Sequence, residues 1–376
     1  MNNVRVYTFA YYSKALHALL NTYTIDVLAM SPAQKMPKLK PKEERKCRFC
    51  GLDGTQTKFN NEAHLLSKML GNRHLLSDSE CDVCNLKFSE YETDLSYFLG
   101  ISRTILRVRG RKNKVPDFHS IDKLLSARQE EFNGITDGIK IERQGTDNDA
   151  FRIFDDEGRA EITTHKQPYV PARVYKAFLK MAISALPEDQ LENYERAIKI
   201  LMSDAHDAKC SWLYKLIHHQ LPSNYAEPRP YCMVLRKLDP EGRRVSHQFY
   251  LRYQNHVYIL LLPFHLEDIL LGLYNEGQIT TNLSPPLLFS APAQSTAECV
   301  SEVRDLSSGE PYREEEVLTF QMEPNAMKNA HIINQDTGEP MPGEFDPKDI
   351  IGMYIAPAGA TLTFPQVGPS KEAAAN

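Results

Sequence analysis

Residues 47–88 read CRFCGLDGTQTKFNNEAHLLSKMLGNRHLLSDSECDVCNLKF. Two Cys-x2-Cys pairs, Cys47/Cys50 and Cys81/Cys84, enclose 30 residues. Two thiolates this close can grip one ion from a tight turn, because the backbone amides of the knuckle face the sulfurs. Two such knuckles give the closed tetrahedral sulfur set that zinc prefers. A site of this kind supplies on the order of 10 kcal/mol of folding energy to a segment too short for its own core. The spacing therefore predicts a structural zinc site. Cysteines that merely pack, an iron site and a redox dithiol are the other readings of the same residues.

The remaining cysteines, Cys210, Cys232 and Cys299, are isolated, giving seven in all. An odd count with two clustered pairs reads as metal binding in a reducing, cytoplasmic setting rather than as a disulfide framework. The 376 residues are 42% hydrophobic and 25% charged, with a formal charge of −5, a globular composition. That balance excludes a uniformly basic nucleic-acid binder, so any such surface must be local. No stretch of about 20 residues lacks charge, as a membrane span would require. The most apolar, His256 to Tyr274, carries Pro263, His265, Glu267 and Asp268. Met1 to Met30 lacks the pattern of a signal peptide. An alternative reading has translation start at Met30 or Met36, with the first segment loosely attached.

Between and after the knuckles come Glu62-Ala63-His64, Gly71-Asn72 and Cys84-Asn85. This stretch resembles the HNH endonuclease family, in the subgroup with four zinc-binding cysteines, over about residues 47–99. The resemblance implies a ββα-metal module, a two-stranded hairpin followed by a helix, closing on one divalent cation. It makes His64 the general base, Asn72 the residue orienting it, and Asn85 and Glu62 ligands of a catalytic Mg²⁺ or Mn²⁺. The chemistry is consistent with that assignment. Phosphodiester hydrolysis needs a water deprotonated near neutral pH, and imidazole is poised there. A hard cation neutralising the phosphate prefers oxygen ligands to thiolates. Plainer readings stand beside these: Asn85 as a helix N-cap, Asn72 as a turn residue, and His74 as a surface residue or phosphate contact. Phe88, Tyr91, Leu95 and Phe98 read as a packing face of the helix. Glu92 and Asp94 read as surface charge, with a reach to the metal as the alternative.

Basic stretches flank this segment. Lys35, Lys38, Lys40, Lys42, Arg45, Lys46 and Arg48 belong to the first, and Arg103, Arg107, Arg109, Arg111, Lys112 and Lys114 to the second. Of these, Arg45, Lys46, Arg48, Arg107, Arg109, Arg111 and Lys112 are the expected DNA contacts, giving salt-sensitive binding with little sequence preference.

The fold class expected is α+β: the N-terminal module followed by a larger α+β domain of a helix pair and antiparallel strands. The domains expected are an N-terminal segment and basic linker (1–46), the nuclease module with its basic extension (47–114), a connector (115–149) and a regulatory, sensing or oligomerisation domain (150–376). Strands are predicted at IKIER (139–143), FRIF (151–154), AEITT (160–164), YCMVLRKL, HQFYLRY, HVYILLL and EEVLTFQM. Helices are predicted from Pro171, from Pro187 and around Leu266–Tyr274, and His218-His219 are expected to end another. Expected partners are DNA, a second copy in a homodimer, and a regulatory protein, guide complex or nucleotide messenger, with no membrane. By analogy the setting is restriction or anti-phage defence. The alternatives are an effector silent until a partner or second messenger activates it, and a zinc module that binds nucleic acid without cutting it.

Overall fold

The structure, a computed structural model, describes residues 5–7, 9–30, 39–110, 113–131, 136–144, 150–204, 213–221, 226–274, 284–287, 299–321, 332–333, 340–341 and 352–355. The chain begins with β1 (Arg5–Tyr7), α1 (Phe9–Leu20), β2 (Tyr23–Met30), β3 (Ala63–His64), β4 (Leu76–Ser77) and α2 (Asp82–Leu99). It continues with α3 (Ser102–Ile105), β5 (Phe118–His119), β6 (Leu125–Gln129), β7 (Ile139–Arg143), β8 (Phe151–Phe154) and β9 (Arg159–His165). Next come α4 (Pro171–Ala185), α5 (Glu195–Met202), β10 (Lys215–Gln220), β11 (Glu227–Lys237), β12 (His247–Gln254), β13 (His256–Leu261), α6 (Leu266–Leu270) and β14 (Cys299–Asp305). Last are β15 (Glu315–Gln321), β16 (Ile332–Ile333), β17 (Pro340–Met341) and β18 (Gly352–Ile355). The architecture is mixed α and β, and the strands pair antiparallel.

Two units divide the chain: residues 1–98 with 169–312, and residues 99–168 with 313–376. The first is built on a seven-stranded sheet of order β1-β14-β10-β13-β12-β11-β2. Side chains alternate between the faces of a strand. Ile217, Val257 and Ile259 therefore point to one face, where they pack with Leu19, Tyr23, Met233, Leu235 and Tyr250. Tyr258 points to the other, its ring 5.1 Å from Phe178 of α4 and 6.2 Å from Phe98 of α2. Helix α4 starts at Pro171, whose fixed φ suits a first helical turn. Of its residues only Arg173 is not buried, so it runs as an inner layer rather than a surface helix.

The second unit holds a four-stranded sheet, β18-β7-β6-β5, and a three-stranded one, β15-β9-β8. Their apolar residues, among them Ile101, Phe118, Leu125, Ile139, Ile141, Phe151 and Ile162, form one core.

Several expectations differ from this arrangement. The alternative of a loosely attached first segment does not hold for β1 and β2: β2 pairs with β11 from Tyr23↔Lys237 to Met30↔Tyr231, and β1 pairs with β14. Their partners lie two hundred and more residues away, beyond the reach of local pattern. The stretch 115–149 is no mere connector, since it supplies β5, β6 and β7; β6 buries only Leu125, Ser126 and Ala127, too weak a signal to stand out. Residues 150–376 do not form one body, because β8, β9, β15 and β18 belong to the second unit. His218 and His219 lie in strand β10 rather than at a helix end, as pairing with β13 and β14 overrides local preference. Cys210, Lys35 and Lys38 lie outside the described residues. The helix expected from Pro187 begins as a 3₁₀ turn, Glu188–Tyr194, before α5.

Two predictions follow from this packing. Tyr23 is buried and its hydroxyl donates to the Val245 carbonyl at 2.9 Å. Tyr23→Ala should cost about 3–5 kcal/mol in urea unfolding; an unchanged midpoint would mean that the N-terminal segment is not part of the sheet. The second concerns acid. Burial, ahead of every other influence, lowers the pKa of His219 and of His247 to about 3. Unfolded histidines take up a proton below about pH 6.5, whereas these two stay neutral in the fold until about pH 3. Stability should therefore fall on acidification from about pH 6.5, by roughly 1.4 kcal/mol per pH unit per histidine. Thermal melts between pH 7 and 5 test this, and a flat profile refutes it.

Candidate metal centre

Cys47, Cys50, Cys81 and Cys84 bring one sulfur each to within 4.8 Å of all the others. The Cys50 and Cys81 sulfurs are 3.7 Å apart. A regular tetrahedron with metal–sulfur bonds of about 2.3 Å has edges of about 3.8 Å. Turn bonds shape the first knuckle: Cys47 N donates to Leu52 O and Gly51 N to Cys47 O, both at 2.8 Å. Gly51 takes the left-handed φ of 78° that closes this turn. Cys81 precedes the first turn of α2 and Cys84 lies within it. These cysteines are free thiols, and the sulfurs share charge unevenly. The Cys84 hydrogen bond, above all, lowers the Cys47 pKa to about 4, whereas burial is the largest influence raising Cys50 to about 11. Four sulfurs are thus crowded together, with Cys47 giving up its proton more readily than Cys50. A divalent cation with a preference for sulfur would relieve that crowding, so the donor set could hold zinc.

Between the two knuckles in the chain, β3 and β4 form a two-residue ladder, Ala63↔Ser77 and His64↔Leu76, with α2 following. Between the strands, Ser67 caps a short 3₁₀ turn that ends at Gly71, whose φ of 87° is left-handed. Asn72 then turns its side chain inward. Its amide donates to Leu66 O at 2.6 Å and Leu75 O at 3.0 Å, and its oxygen accepts from His74 N at 3.2 Å and Leu75 N at 2.9 Å. That exhausts what an Asn side chain can bond. Asn72 therefore holds the hairpin loop and does not orient His64 directly, as the expected role required.

The His64 imidazole is buried, and neither ring nitrogen has a hydrogen-bond partner. Nε2 lies 3.3 Å from a Glu62 carboxylate oxygen without hydrogen-bond geometry. The same oxygen accepts from Lys68 Nζ at 2.6 Å, the main reason the Glu62 pKa is lowered. Burial, seconded by the Lys68 charge, lowers the His64 pKa to about 4, so the ring is neutral near pH 7. Asn85 is the fourth residue of α2, its N–H bonded to Cys81 O at 2.9 Å, and so is not an N-cap.

Other expected roles change. Arg48 is no DNA contact: its Nη1 donates to the carbonyls of Ile183, Ser184 and Leu186, at 2.7, 2.8 and 3.1 Å. It closes the C-terminal end of α4, where unpaired carbonyls attract a cation. Arg107 and Arg109 belong to the second unit. There Arg107 donates to Asp137 O at 2.6 Å and Ile355 O at 2.8 Å, and Arg109 pairs with Asp137 at 2.7 Å. Arg45 donates to Lys40 O at 2.8 Å, and Lys46 is exposed. Arg111 and Lys112 lie outside the described residues. Asp94 is no surface charge: it is buried and accepts from Val170 N at the start of α4, at 2.7 Å. Residue type alone hid the buried pair of Glu80 and Lys180, 2.8 Å apart, whose lysine reaches the His64 carbonyl. The one available signal was a lysine at i+4 from another, Lys176, on a helix whose residues are mostly apolar.

Cys81→Ser should release zinc, read by metal analysis, and abolish the cooperative unfolding of this region; full zinc retention would rule out the four-sulfur cage. Compared with protein-family models, with curated proteins and with solved structures, the chain has no match.

Proposed function

We propose that the protein is a metal-dependent DNA endonuclease of the HNH type, with zinc in the cysteine cage as a structural ion and Mg²⁺ or Mn²⁺ at the face of Glu62, His64 and Asn85. The observation that carries this reading is the buried imidazole of His64, with no hydrogen bond at either nitrogen, on the hairpin that the chain forms between the two knuckles. A buried polar group without partners is costly to keep. Such a cost is met at places where the group is needed for binding or proton transfer.

His64, neutral at working pH, would accept the proton of the attacking water. Asn72 would act from behind, keeping the loop between β3 and β4 in one shape. Asn85 has an amide oxygen and Glu62 a carboxylate, the oxygen donors that a hard cation takes. That cation supplies charge to offset the developing negative charge on the phosphate. DNA would be engaged through phosphates, Lys46 being an exposed candidate. A restriction or anti-phage setting, with control by the rest of the chain, a partner or a messenger, belongs to the same proposal. The tight Glu62–Lys68 pair favours a second reading, a zinc module that binds nucleic acid without cutting, because that carboxylate is already engaged.

Purified protein should nick supercoiled plasmid in Mg²⁺ or Mn²⁺, EDTA should stop it, and His64→Ala should slow it about 10²–10⁴-fold. Plasmid binding with no nicking, unaffected by His64→Ala, would replace the endonuclease with the binding module.

A further inference from the structure

We propose that Lys180 of α4 is a positioning residue for His64, so that the histidine is held in place by the distant half of the chain as well as by its own hairpin. The inference rests on the endonuclease reading for its catalytic meaning and on geometry alone for the contact.

Lys180 is 4% exposed. Its Nζ donates to the main-chain carbonyl of His64 at 2.9 Å and lies 2.8 Å from a carboxylate oxygen of Glu80, itself fully buried and adjacent to Cys81. The ammonium also stands 5.9 Å from the centre of the Phe88 ring of α2. One cation thus touches the strand that carries the base, the residue leading into the second knuckle, and the helix that follows it. The strand needs such an anchor. β3 is two residues long and its ladder to β4 has two residue pairs, so the local sheet constrains it weakly. The peptide after His64 is gripped from both sides: Lys180 holds its oxygen, and Leu65 N, on the same peptide plane, donates to Leu75 O at 2.9 Å. This plane, together with the His64↔Leu76 pairing, restrains the direction in which the His64 side chain leaves the backbone.

The lysine is itself immobile. Asp94 of α2 accepts from Val170 N at one end of α4, and Arg48, next to Cys47, binds the carbonyls at the other. Lys176, one turn from Lys180, donates to Ser203 O at 2.7 Å. The segment that bears the knuckles therefore clamps α4 at its ends, and α4 returns the constraint at its middle.

The test uses full-length protein. Removing Lys180 alone would strand the Glu80 charge in the interior, so both are neutralised together in Lys180→Met/Glu80→Gln. Glu80→Gln alone keeps an oxygen for the ammonium and leaves the His64 carbonyl bonded. The double variant should keep its zinc, lower plasmid-nicking kcat about 10–100-fold with KM unchanged, speed amide exchange at His64 and Leu65, and shift the His64 imidazole resonances. Glu80→Gln should stay within about 3-fold of wild type in kcat. Wild-type kcat and unshifted His64 resonances in the double variant would overturn the proposal. Loss of zinc would overturn it too, because the pair would then serve the cage and not the histidine. If wild-type protein nicks no plasmid, the endonuclease reading fails by itself, while exchange and resonances still decide whether Lys180 positions His64.

Discussion

An ammonium group with almost no access to water, Lys180 Nζ, lies where the knuckle-bearing segment meets the central helix. Burying an ion is expensive, on the order of several kcal/mol, and is tolerated only when close partners replace its hydration. Here the replacements are the Glu80 carboxylate, the His64 carbonyl and the face of Phe88. Each comes from a different part of the segment, so satisfying one charge aligns the strand, the second knuckle and the helix. Removing the charge would be cheap only if its carboxylate went with it.

That interaction changes what the domain boundary means. A four-sulfur cage looks self-sufficient, because a metal can fold a segment with little core of its own. In this protein the segment also packs against the rest of the first unit. Phe178 and Phe98 converge on the same tyrosine of the sheet, Tyr258, while Tyr91 donates to the Leu201 carbonyl at the end of α5. The chain crosses into a second unit at residue 99 and returns at 169. The cage and its supporting helix are therefore separated in sequence and joined in space. An arrangement like this couples the candidate site to the sheet, since no movement of α4 can leave both the His64 carbonyl and the Asp94 carboxylate undisturbed.

Some buried polar groups of the first unit find close partners, whereas others, Ser184 Oγ and His247 Nε2 among them, have no hydrogen bond. Asp268 receives Ser246 through both its N–H and its hydroxyl, and pairs with Lys237 at 3.1 Å. Tyr194 bonds His247 at 2.9 Å. His64 lacks hydrogen bonds at both of its ring nitrogens. They mark the one ring, among the buried histidines of the described residues, with neither nitrogen bonded.

The four cysteines, their spacing and their convergence were legible in the sequence, since a Cys-x2-Cys knuckle is a local object. So were the strands with strong β-branched and aromatic character, such as β12 and β13, and the start of α4 at a proline. Contact across long separations was not legible. Arg48 reads as part of a basic run, yet its guanidinium ends on carbonyls 135 to 138 residues away. Asn72 reads as a site residue, yet closure of its own loop consumes every bond it can make. The first thirty residues, the His218–His219 strand and Lys180 all owe their roles to partners that no window of sequence contains. Local chemistry is written in spacing; burial, pairing and the direction of a side chain depend on which distant segment arrives, and that is decided only when the whole chain packs.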